Sequence, residues 1–409
     1  MKNVFEPCAV GTLRLRNRII RSATHEGMAH ADEMPTDDLE RTYRKLAEGG
    51  AGAIITGYMG VRRNGRTFAN MRMFDRDACI DVYKGINDRL KEFGTPVIAQ
   101  LAHGGSRASK KLTGQDVVGP SYRRRNDYGD ECKEAAEDEI QAIIEAFVLA
   151  VVRARQAGFD GVQLHAAHGY LLSEFISPKF NKRTDAWGGP IENRMRIVQE
   201  IVTRARDLVG QYPILVKISA RDESKDGLTE ADLLAAVRIL RDCSCDAIEV
   251  SCGYGDFLST VRMPRLPIDA ALAFAPGYRD LSAFRKRLMR MAAPLMYKSH
   301  VPLHNYNVDA AALAKRAADI PVIVVGGIRN LRDIRTIIGE QGIDAVALSR
   351  PFIIEPDIVE KFRQGRQDSS RCIDCGYCLI ASAANPLKCY YGRVPRKFRG
   401  AVPGTCGIG

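Results

Sequence analysis

The chain has 409 residues, of which 45% are apolar and 27% charged. This composition can fill a large core, and it excludes a disordered or collagen-like chain. The formal net charge of +11 indicates either an ordinary basic surface or a preference for anionic small-molecule partners. No basic run interleaves with aromatic residues, so we expect no nucleic-acid partner. No apolar run has the roughly 18 residues of a membrane span. The N-terminal stretch lacks a cleavage pattern, so we expect no signal peptide and a cytoplasmic protein.

Eight short apolar runs occur along the chain, and most are followed by a longer helical pattern. Nearly continuous apolar runs suit parallel strands that are covered on both faces. Eight such units predict an α/β fold, a closed (β/α)8 TIM barrel rather than an open sheet. The predicted strands cover residues 18–23, 53–57, 96–100, 160–164, 213–219, 246–251, 321–325 and 344–348.

The segments between the strands predict helices and two long excursions. Apolar residues at three- and four-residue spacing predict helices over residues 36–48, 137–157, 191–208 and 229–242. The connection at residues 253–306 is longer than a barrel helix requires, and we expect it to cover the C-terminal face or to be a peripheral decoration. Its many arginines would either face an anionic substrate or be solvated. We expect the barrel over residues 1–365 and a short cysteine-containing extension over residues 366–409.

Residues at the ends of strands seven and eight match the pattern of a phosphate site. Gly326 and Gly327 follow the seventh strand, and Ser349 and Arg350 follow the eighth. In barrels this position often binds phosphate. Glycines allow backbone N–H groups to approach the anion, and arginine adds bidentate, charge-assisted hydrogen bonds. The alternative for the glycines is a plain turn.

Three polar side chains follow the fourth predicted strand. His165 and His168 are three residues apart, and Tyr170 follows closely. Histidine can donate a hydrogen bond to a carbonyl oxygen in either protonation state, and tyrosine can deliver a proton. We therefore expect a ligand cradle. The competing interpretation is a zinc site, for which His25 or His103 would supply the third ligand.

Four of the eleven cysteines lie close together near the C-terminal end: Cys372, Cys375, Cys378 and Cys389. In an intracellular enzyme such clustering favours a metal over disulfides. The spacing suits a [4Fe–4S] cluster or a tetrahedral zinc ion. A set of free thiols is the remaining alternative.

Several longer motifs resemble the Old Yellow Enzyme family, in particular the bacterial branch with 2-enoate and 2,4-dienoyl-CoA reductases. The resemblance spans about residues 3–365. The most specific motif is HAAHGYLLSEFISPKFNKRTDAWGGPIENRMR at residues 165–196. It is accompanied by NRIIRSATHEG at 17–27, QLAHGG at 100–105, VVGGI at 324–328 and ALSRPFIIEPD at 347–357. The resemblance implies an FMN cofactor and NAD(P)H as electron donor.

The resemblance also assigns roles to residues. Ser22, Ala23, Thr24 and His25 would lie beside the flavin ring, and His25 departs from the Cys or Thr of many relatives. Further implied flavin contacts are Gly57 and Gln100 at the pyrimidine side, Lys217 near flavin N1, and Gly326, Gly327, Ser349 and Arg350 at the phosphate. A cation near N1 would stabilise the anionic reduced flavin.

The implied reaction is reduction of a carbon–carbon double bond next to a carbonyl. NAD(P)H would reduce the flavin, and hydride would pass from flavin N5 to the β-carbon of an α,β-unsaturated substrate. His165 and His168 would bind the carbonyl oxygen, and Tyr170 would protonate the α-carbon.

Partners and competing functions follow from the same resemblance. The substrate could be anionic or CoA-linked, and a homo-oligomer and an electron-donor protein are further candidate partners. The competing functions are an amine dehydrogenase or demethylase of the same fold, and a flavin-binding barrel without catalysis.

Overall fold

The computed structural model describes residues 3–126, 129–222, 224–253, 261–275, 278–296 and 303–392, without the side chains of residues 294–296. The end of the Gly-, Pro- and Arg-rich tail lies outside the described residues, as do parts of the long excursion. Strands and helices are numbered below in chain order within the described part.

Thirteen strands are present in the described residues, and eight of them form the barrel. The barrel strands are β3 (Ile19–Arg21), β4 (Ile54–Ile55), β6 (Val97–Ala102), β9 (Gly161–Ala166), β10 (Ile214–Ser219), β11 (Ala247–Ser251), β12 (Val322–Val325) and β13 (Ala345–Leu348). The others are β1 (Cys8–Val10), β2 (Leu13–Leu15), β5 (Met59–Gly60), β7 (Val117–Gly119) and β8 (Cys132–Glu134).

Hydrogen bonding closes the eight strands into a ring. Each barrel strand pairs in parallel with its neighbour in chain order, β13 pairs with β3, and the β3–β4 and β4–β6 pairings complete the circle. Every predicted strand overlaps an observed one, so the predicted (β/α)8 barrel is confirmed. The third strand extends two residues beyond its predicted end, to Ala102.

The helices lie between the strands, as expected for alternating units. Four of them match the predicted helices closely: α1 (Asp37–Glu48), α4 (Glu137–Gln156), α6 (Ile191–Val209) and α7 (Glu230–Asp242). The remaining helices are α2 (Ala78–Leu90), α3 (Lys110–Thr113), α5 (Leu171–Ile176), α8 (Ile268–Phe274), α9 (Ala283–Met296), α10 (Val308–Ala317), α11 (Leu331–Gly339), α12 (Arg350–Ile354), α13 (Ile358–Arg363) and α14 (Tyr377–Ser382). Among the described helices, none combines the length and apolar character needed to cross a bilayer.

Apolar packing closes one end of the barrel and leaves the other for a site. Val10, Leu13 and Leu15 of the β1–β2 hairpin join the same buried cluster as Ile20 and Leu215 of the barrel interior. The hairpin turn lies against Asp246, just before the start of β11, so it plugs the N-terminal end of the barrel. In the described part of the chain, the C-terminal strand ends are then left for binding, as in other barrels of this type.

Candidate active site

The C-terminal ends of the barrel strands open into a cavity of about 560 Å³. This volume falls within the usual range of small-molecule and cofactor sites. Thirteen of the fourteen catalytic and cofactor residues expected from the sequence line it. They are Ser22, Ala23, Thr24, His25, Gln100, His165, His168, Tyr170, Lys217, Gly326, Gly327, Ser349 and Arg350.

Gly57 is the expected residue that does not line the cavity wall. Its backbone N–H donates to Oε1 of Glu26 at 2.8 Å, and a Cβ at this position would lie 1.9 Å from Oε2 of the same carboxylate. Burial opposes ionisation of Glu26, but Arg72 and Arg21 lower its pKa. Gly57 therefore lies against a buried ion-pair cluster beside the barrel.

A chain of buried side chains crosses the barrel beneath the cavity. Gln100 Nε2 donates to Gln163 Oε1 at 2.7 Å, and Gln163 Nε2 donates to Glu249 Oε2 at 2.7 Å. The other oxygen of Glu249 accepts from Ser22 Oγ at 2.6 Å and from Lys217 Nζ at 3.2 Å. Lys217 also donates to Ser22 Oγ at 3.1 Å. The network fixes the Lys217 ammonium and the Gln100 amide at the cavity floor.

The three polar residues at the end of β9 and just after it lie together on the cavity wall. The ring centroids of His165 and His168 are 5.1 Å apart, and those of His165 and Tyr170 are 4.9 Å apart. His168 Nε2 is hydrogen-bonded to Ser251 Oγ at 2.7 Å. Burial, with the nearby charge of Lys217, lowers the pKa of both histidines well below the usual value. Both imidazoles are therefore neutral at pH 7.

His165 has a buried nitrogen that lacks a partner within the described residues. Its Nδ1 atom makes no hydrogen bond there, although buried polar atoms are normally paired. His165 lines the cavity, but this nitrogen is itself shielded from solvent. His103 supplies no third metal ligand, since it lies off the cavity wall and its Nε2 is hydrogen-bonded to Asn64 at 2.9 Å.

An aromatic wall continues from Tyr170 along the cavity. The ring centroid of Tyr58 lies 5.2 Å from that of Tyr170 and 5.2 Å from that of His25, and His25 lies 5.0 Å from Phe68. Burial lowers the pKa of His25 to about 4, so this ring is neutral as well. The wall is built of aromatic rings, which suits contact with an aromatic or unsaturated ligand.

The part of the cavity at the ends of β12 and β13 carries the glycines expected at the phosphate. Gly326 and Gly327 have φ values of 143° and 70°, a region that favours glycine. Ser349 Oγ is hydrogen-bonded to Thr24 Oγ1 at 2.8 Å. This hydrogen bond joins the segments that follow β3 and β13.

Two arginines and one aspartate complete this end. Arg350 and Arg329 both line the cavity, and both contact Asp374, at 3.1 and 2.9 Å. Arg350 Nη1 also donates to the Arg262 carbonyl at 2.8 Å. Burial opposes the charge of Arg350, but Asp374 raises its pKa. The guanidinium groups are therefore charged and held at the cavity edge.

Parts of the long excursion and of the extension cover the cavity. Leu266, Ile268 and Tyr278 of the excursion and Ile380 and Ser382 of α14 line it. This confirms the expected position of the excursion over the C-terminal face. Seven basic residues of the region 253–306 do not line the cavity, and of these Arg262 is buried against the Tyr306 ring at 4.2 Å. The other basic residues of that set are Arg265, Arg279, Arg285, Lys286, Arg287 and Arg290.

The four clustered cysteines are free thiols in the structure: Cys372, Cys375, Cys378 and Cys389. Burial raises the pKa of Cys375 to about 11, and its neighbours Cys372 and Cys389 add to the effect. The thiols are therefore near one another. Within the described ranges, however, no three His, Cys, Asp or Glu side chains are arranged to hold a metal ion.

Some residues of the site were not predicted, although a signal for them is present in the sequence. Glu249 and Gln163 are polar residues within otherwise apolar strands, and such residues in a barrel interior need buried partners. Arg329 follows the predicted glycine pair by two residues. Tyr58 directly follows the predicted strand 53–57, a position that could have indicated it. Asp374 had no comparable signal, because it adjoins neither a predicted strand end nor a motif of the phosphate site.

Sequence comparison places the chain in a known family. The NADH:flavin oxidoreductase / NADH oxidase family matches residues 3–262. The chain is 31% identical over 388 residues to a metal reductase of Desulforamulus reducens, covering 93% of this chain and 52% of that protein. It is 30% identical to an NADH oxidase of Thermoanaerobacter brockii, covering 97% and 55%. The chain belongs to the NADH:flavin oxidoreductase / NADH oxidase family, and it spans about half the length of these two relatives.

Solved structures confirm the Old Yellow Enzyme fold. A 2-naphthoyl-CoA reductase in complex with 2-naphthoyl-CoA superposes with a TM-score of 0.77 at 22% identity, covering 95% of this chain and 56% of that one. An Old Yellow Enzyme homologue from Zymomonas mobilis superposes with a TM-score of 0.73 at 22% identity, covering 94% and 98%.

Proposed function

We propose that the chain is an FMN-dependent ene-reductase that uses NAD(P)H to reduce an α,β-unsaturated carbonyl, enoate or enoyl compound. The observation that carries the proposal is the grouping of His165, His168 and Tyr170 on the wall of a cavity that Arg329 and Arg350 also line. Two neutral imidazoles and a phenol suit an enolate reaction. Two guanidinium groups suit a phosphate-bearing cofactor.

The residues present fit FMN. The cavity volume suits a cofactor, the glycines and arginines lie at one end, and the Lys217 ammonium and Gln100 amide lie at its floor. We propose that Gly326, Gly327, Ser349 and Arg350 hold the phosphate. Ser22, Ala23, Thr24, His25, Gln100 and Lys217 are proposed to hold the ring system, with Gly57 at its edge.

Bound FMN would supply the hydride that NAD(P)H delivers to it. His165 and His168 orient the substrate by donating hydrogen bonds to its carbonyl oxygen, and they stabilise negative charge that develops there. Because the pKa of both residues is lowered well below the usual value, they act as neutral donors. Tyr170 places its hydroxyl proton at the α-carbon as the general acid.

The substrate is proposed to be a flat, unsaturated compound, and a CoA ester is one form of it. The aromatic wall of Tyr58, Phe68 and Tyr170 favours a planar acyl group. The structurally similar reductase bound to 2-naphthoyl-CoA supports this class. A CoA portion would remain outside the cavity, toward the basic surface of the excursion.

The cysteine segment is proposed to bind a [4Fe–4S] cluster or zinc, on the strength of residue type and spacing. Within the described part of the chain, no three His, Cys, Asp or Glu side chains already stand in position to hold a metal ion, so no step of the reaction is assigned to such a group. An electron-donor protein and a homo-oligomer remain proposals of the same kind.

Activity assays with two substrate classes test the function. Purified protein is loaded with FMN and given NADPH or NADH with cyclohexenone, cinnamaldehyde or cinnamoyl-CoA, and in parallel trimethylamine or sarcosine with an artificial electron acceptor. Enone-dependent oxidation of the nicotinamide is expected. Amine-dependent acceptor reduction without enone turnover would favour the amine dehydrogenase instead, and failure to bind FMN would favour neither.

A further inference from the structure

One carboxylate of the cysteine segment lies between two cavity arginines. Asp374 Oδ1 is 3.1 Å from Arg350 Nη1, and Oδ2 is 2.9 Å from Arg329 Nη1. The Asp374 side chain is only 5% exposed. The half-exposed His304 places Nε2 3.6 Å from the same Oδ2. Asp374 therefore bridges two cations that come from different strand ends.

The backbone around Asp374 is shaped to deliver this side chain. Asp374 has φ 56°, a left-handed conformation that non-glycine residues adopt at a cost. The carbonyl of Cys372, two residues earlier, accepts a hydrogen bond from Arg329 Nη2. The Asp374 carbonyl lies 3.4 Å from Arg350 Nη1. The segment thus contacts both guanidinium groups through backbone and side chain.

The bridge leaves donors of both arginines for a ligand. Within the described residues, Arg350 makes its contacts through Nη1, and Arg329 makes its contacts through Nη1 and Nη2. A guanidinium carries five N–H donors. Nε and Nη2 of Arg350 and Nε of Arg329 can therefore still donate to a phosphate while Asp374 holds the other edge.

We propose that Asp374 is a positioning residue for the flavin phosphate, which it serves by orienting Arg329 and Arg350. The proposal rests on the proposed function, since it requires FMN in this cavity. It also adds Arg329 to the phosphate-binding residues. The Asp374 carboxylate restricts the rotamers of Arg329 and Arg350 before FMN binds. These two side chains therefore lose less conformational entropy when the phosphate binds.

Repulsion between carboxylate and phosphate opposes this role. A like charge near the phosphate would weaken binding if Asp374 merely competed for the arginines. The geometry favours orientation, because one carboxylate faces two guanidinium groups and each keeps donors on another edge. If Asp374 orients the arginines, its removal weakens FMN binding. If it competes with the phosphate, its removal strengthens FMN binding, so a binding experiment separates the two effects.

The experiment compares FMN with riboflavin, which has the same ring system and no phosphate. Dissociation constants for both are measured by quenching of flavin fluorescence on the full chain and its variants. Asp374→Gly removes the carboxylate at a position whose φ suits glycine, and Asp374→Asn keeps the side-chain shape without charge. Glu355→Ala is the matched control, because Glu355 holds Arg371 and Ser370 of the same segment but contacts neither cavity arginine.

We expect Asp374→Gly to weaken FMN binding about tenfold, since partners that orient a binding group typically contribute about 10- to 100-fold, as measured at metal sites. Asp374→Asn should lose less, because an amide oxygen can still accept from one guanidinium. Riboflavin affinity should not change in either variant. In Glu355→Ala the ratio of FMN to riboflavin affinity should equal that of the wild type.

Two results would overturn the inference. The first is an unchanged FMN-to-riboflavin ratio in both Asp374 variants, which includes equal weakening of both flavins. The second is tighter FMN binding by Asp374→Asn. The last result would identify the carboxylate as a competitor of the phosphate. If Asp374→Gly does not fold, the Asp374→Asn ratio decides. If the wild type binds neither flavin, the proposed function itself fails. If the wild type binds FMN tightly and the ratio is unchanged in the variants, only the inference about Asp374 fails.

Discussion

Lys217 and Glu249 form a buried ion pair on neighbouring strands of the barrel. Nζ lies 3.2 Å from Oε1, and the two side chains are 3% and 0% exposed. β10 and β11 place them side by side in register. Lys217 is the cation at the cavity floor, and Glu249 is the carboxylate that accepts the hydrogen bonds of the polar network beneath the cavity. Each charge therefore depends on the other for its compensation.

Removing one member of this pair should destabilise the fold strongly. Lys217→Met leaves the Glu249 carboxylate buried without its cation, which typically costs about 3–5 kcal/mol. The double variant Lys217→Met/Glu249→Gln should regain much of that loss, because no unpaired charge remains. Urea unfolding of the cofactor-free protein measures both. Equal losses in the single and double variants would contradict the coupling.

Tyr170→Phe tests the proton donor. We expect enone reduction to slow by about 10²–10⁴-fold, the usual contribution of a general acid, with FMN affinity unchanged. Tyr58→Phe is the matched control. The Tyr58 ring lies 5.2 Å from that of Tyr170, but its hydroxyl is hydrogen-bonded to Thr67 at 3.1 Å. A comparable rate loss in both variants, measured under single-turnover conditions, would remove Tyr170 from its role.

Gly327→Ala tests the glycine turn at the phosphate end. A Cβ at Gly327 would lie 2.2 Å from the Leu303 carbonyl oxygen, whereas at Gly342, with a similar φ of 73°, a Cβ would meet no atom of the described residues within 4 Å. Both substitutions carry a backbone cost of about 1–2 kcal/mol. Gly327→Ala should lose a further 1–3 kcal/mol, roughly, from overpacking, and should also weaken FMN binding. Denaturation midpoints that are equal in the two variants would show that the turn tolerates a side chain.

Glu174→Gln should show a pH-dependent gain in stability. Burial raises the pKa of Glu174 from 4.5 to about 7 in the folded protein, although Ser106 donates hydrogen bonds to the carboxylate. Because ionisation is harder in the folded state than in the unfolded state, the wild type loses stability as pH rises from 4.5 through 7. The expected slope is about 1.4 kcal/mol per pH unit for one proton.

Glutamine does not ionise, so the advantage of Glu174→Gln over the wild type should grow between pH 5 and pH 7 and level off above that window. Urea unfolding at several pH values measures this difference. A difference that stays constant from pH 5 to pH 8 would show that the pKa of Glu174 is not raised.

The barrel was predictable because each strand is locally encoded. A nearly continuous apolar run such as residues 321–325 is typical of a parallel strand that is covered on both faces. Helix starts were less certain, although Thr229 does cap α7 with a reciprocal hydrogen bond to Asp232. Strand ends varied by one or two residues, because hydrogen bonding to neighbouring strands, and not the run itself, sets where a strand stops.

The cavity was predictable only where its residues adjoin strand ends. His165, Arg350 and Tyr58 lie within two residues of predicted strand ends, so their convergence follows from barrel geometry. Asp374 reaches the cavity through the extension, and its approach depends on packing between segments that are distant in the chain. The arrangement of the cysteine thiols could not be read from spacing for the same reason.

The helix α14 of the extension forms part of the cavity wall and packs on α8 of the excursion. The eight strands therefore present the reactive groups, while two late segments give the pocket its outline. Exchanging residues 366–392 with those of a related protein should alter which substrates fit and leave the barrel intact. The substrate range of this fold can therefore change through the excursion and the extension, without changes in the barrel strands.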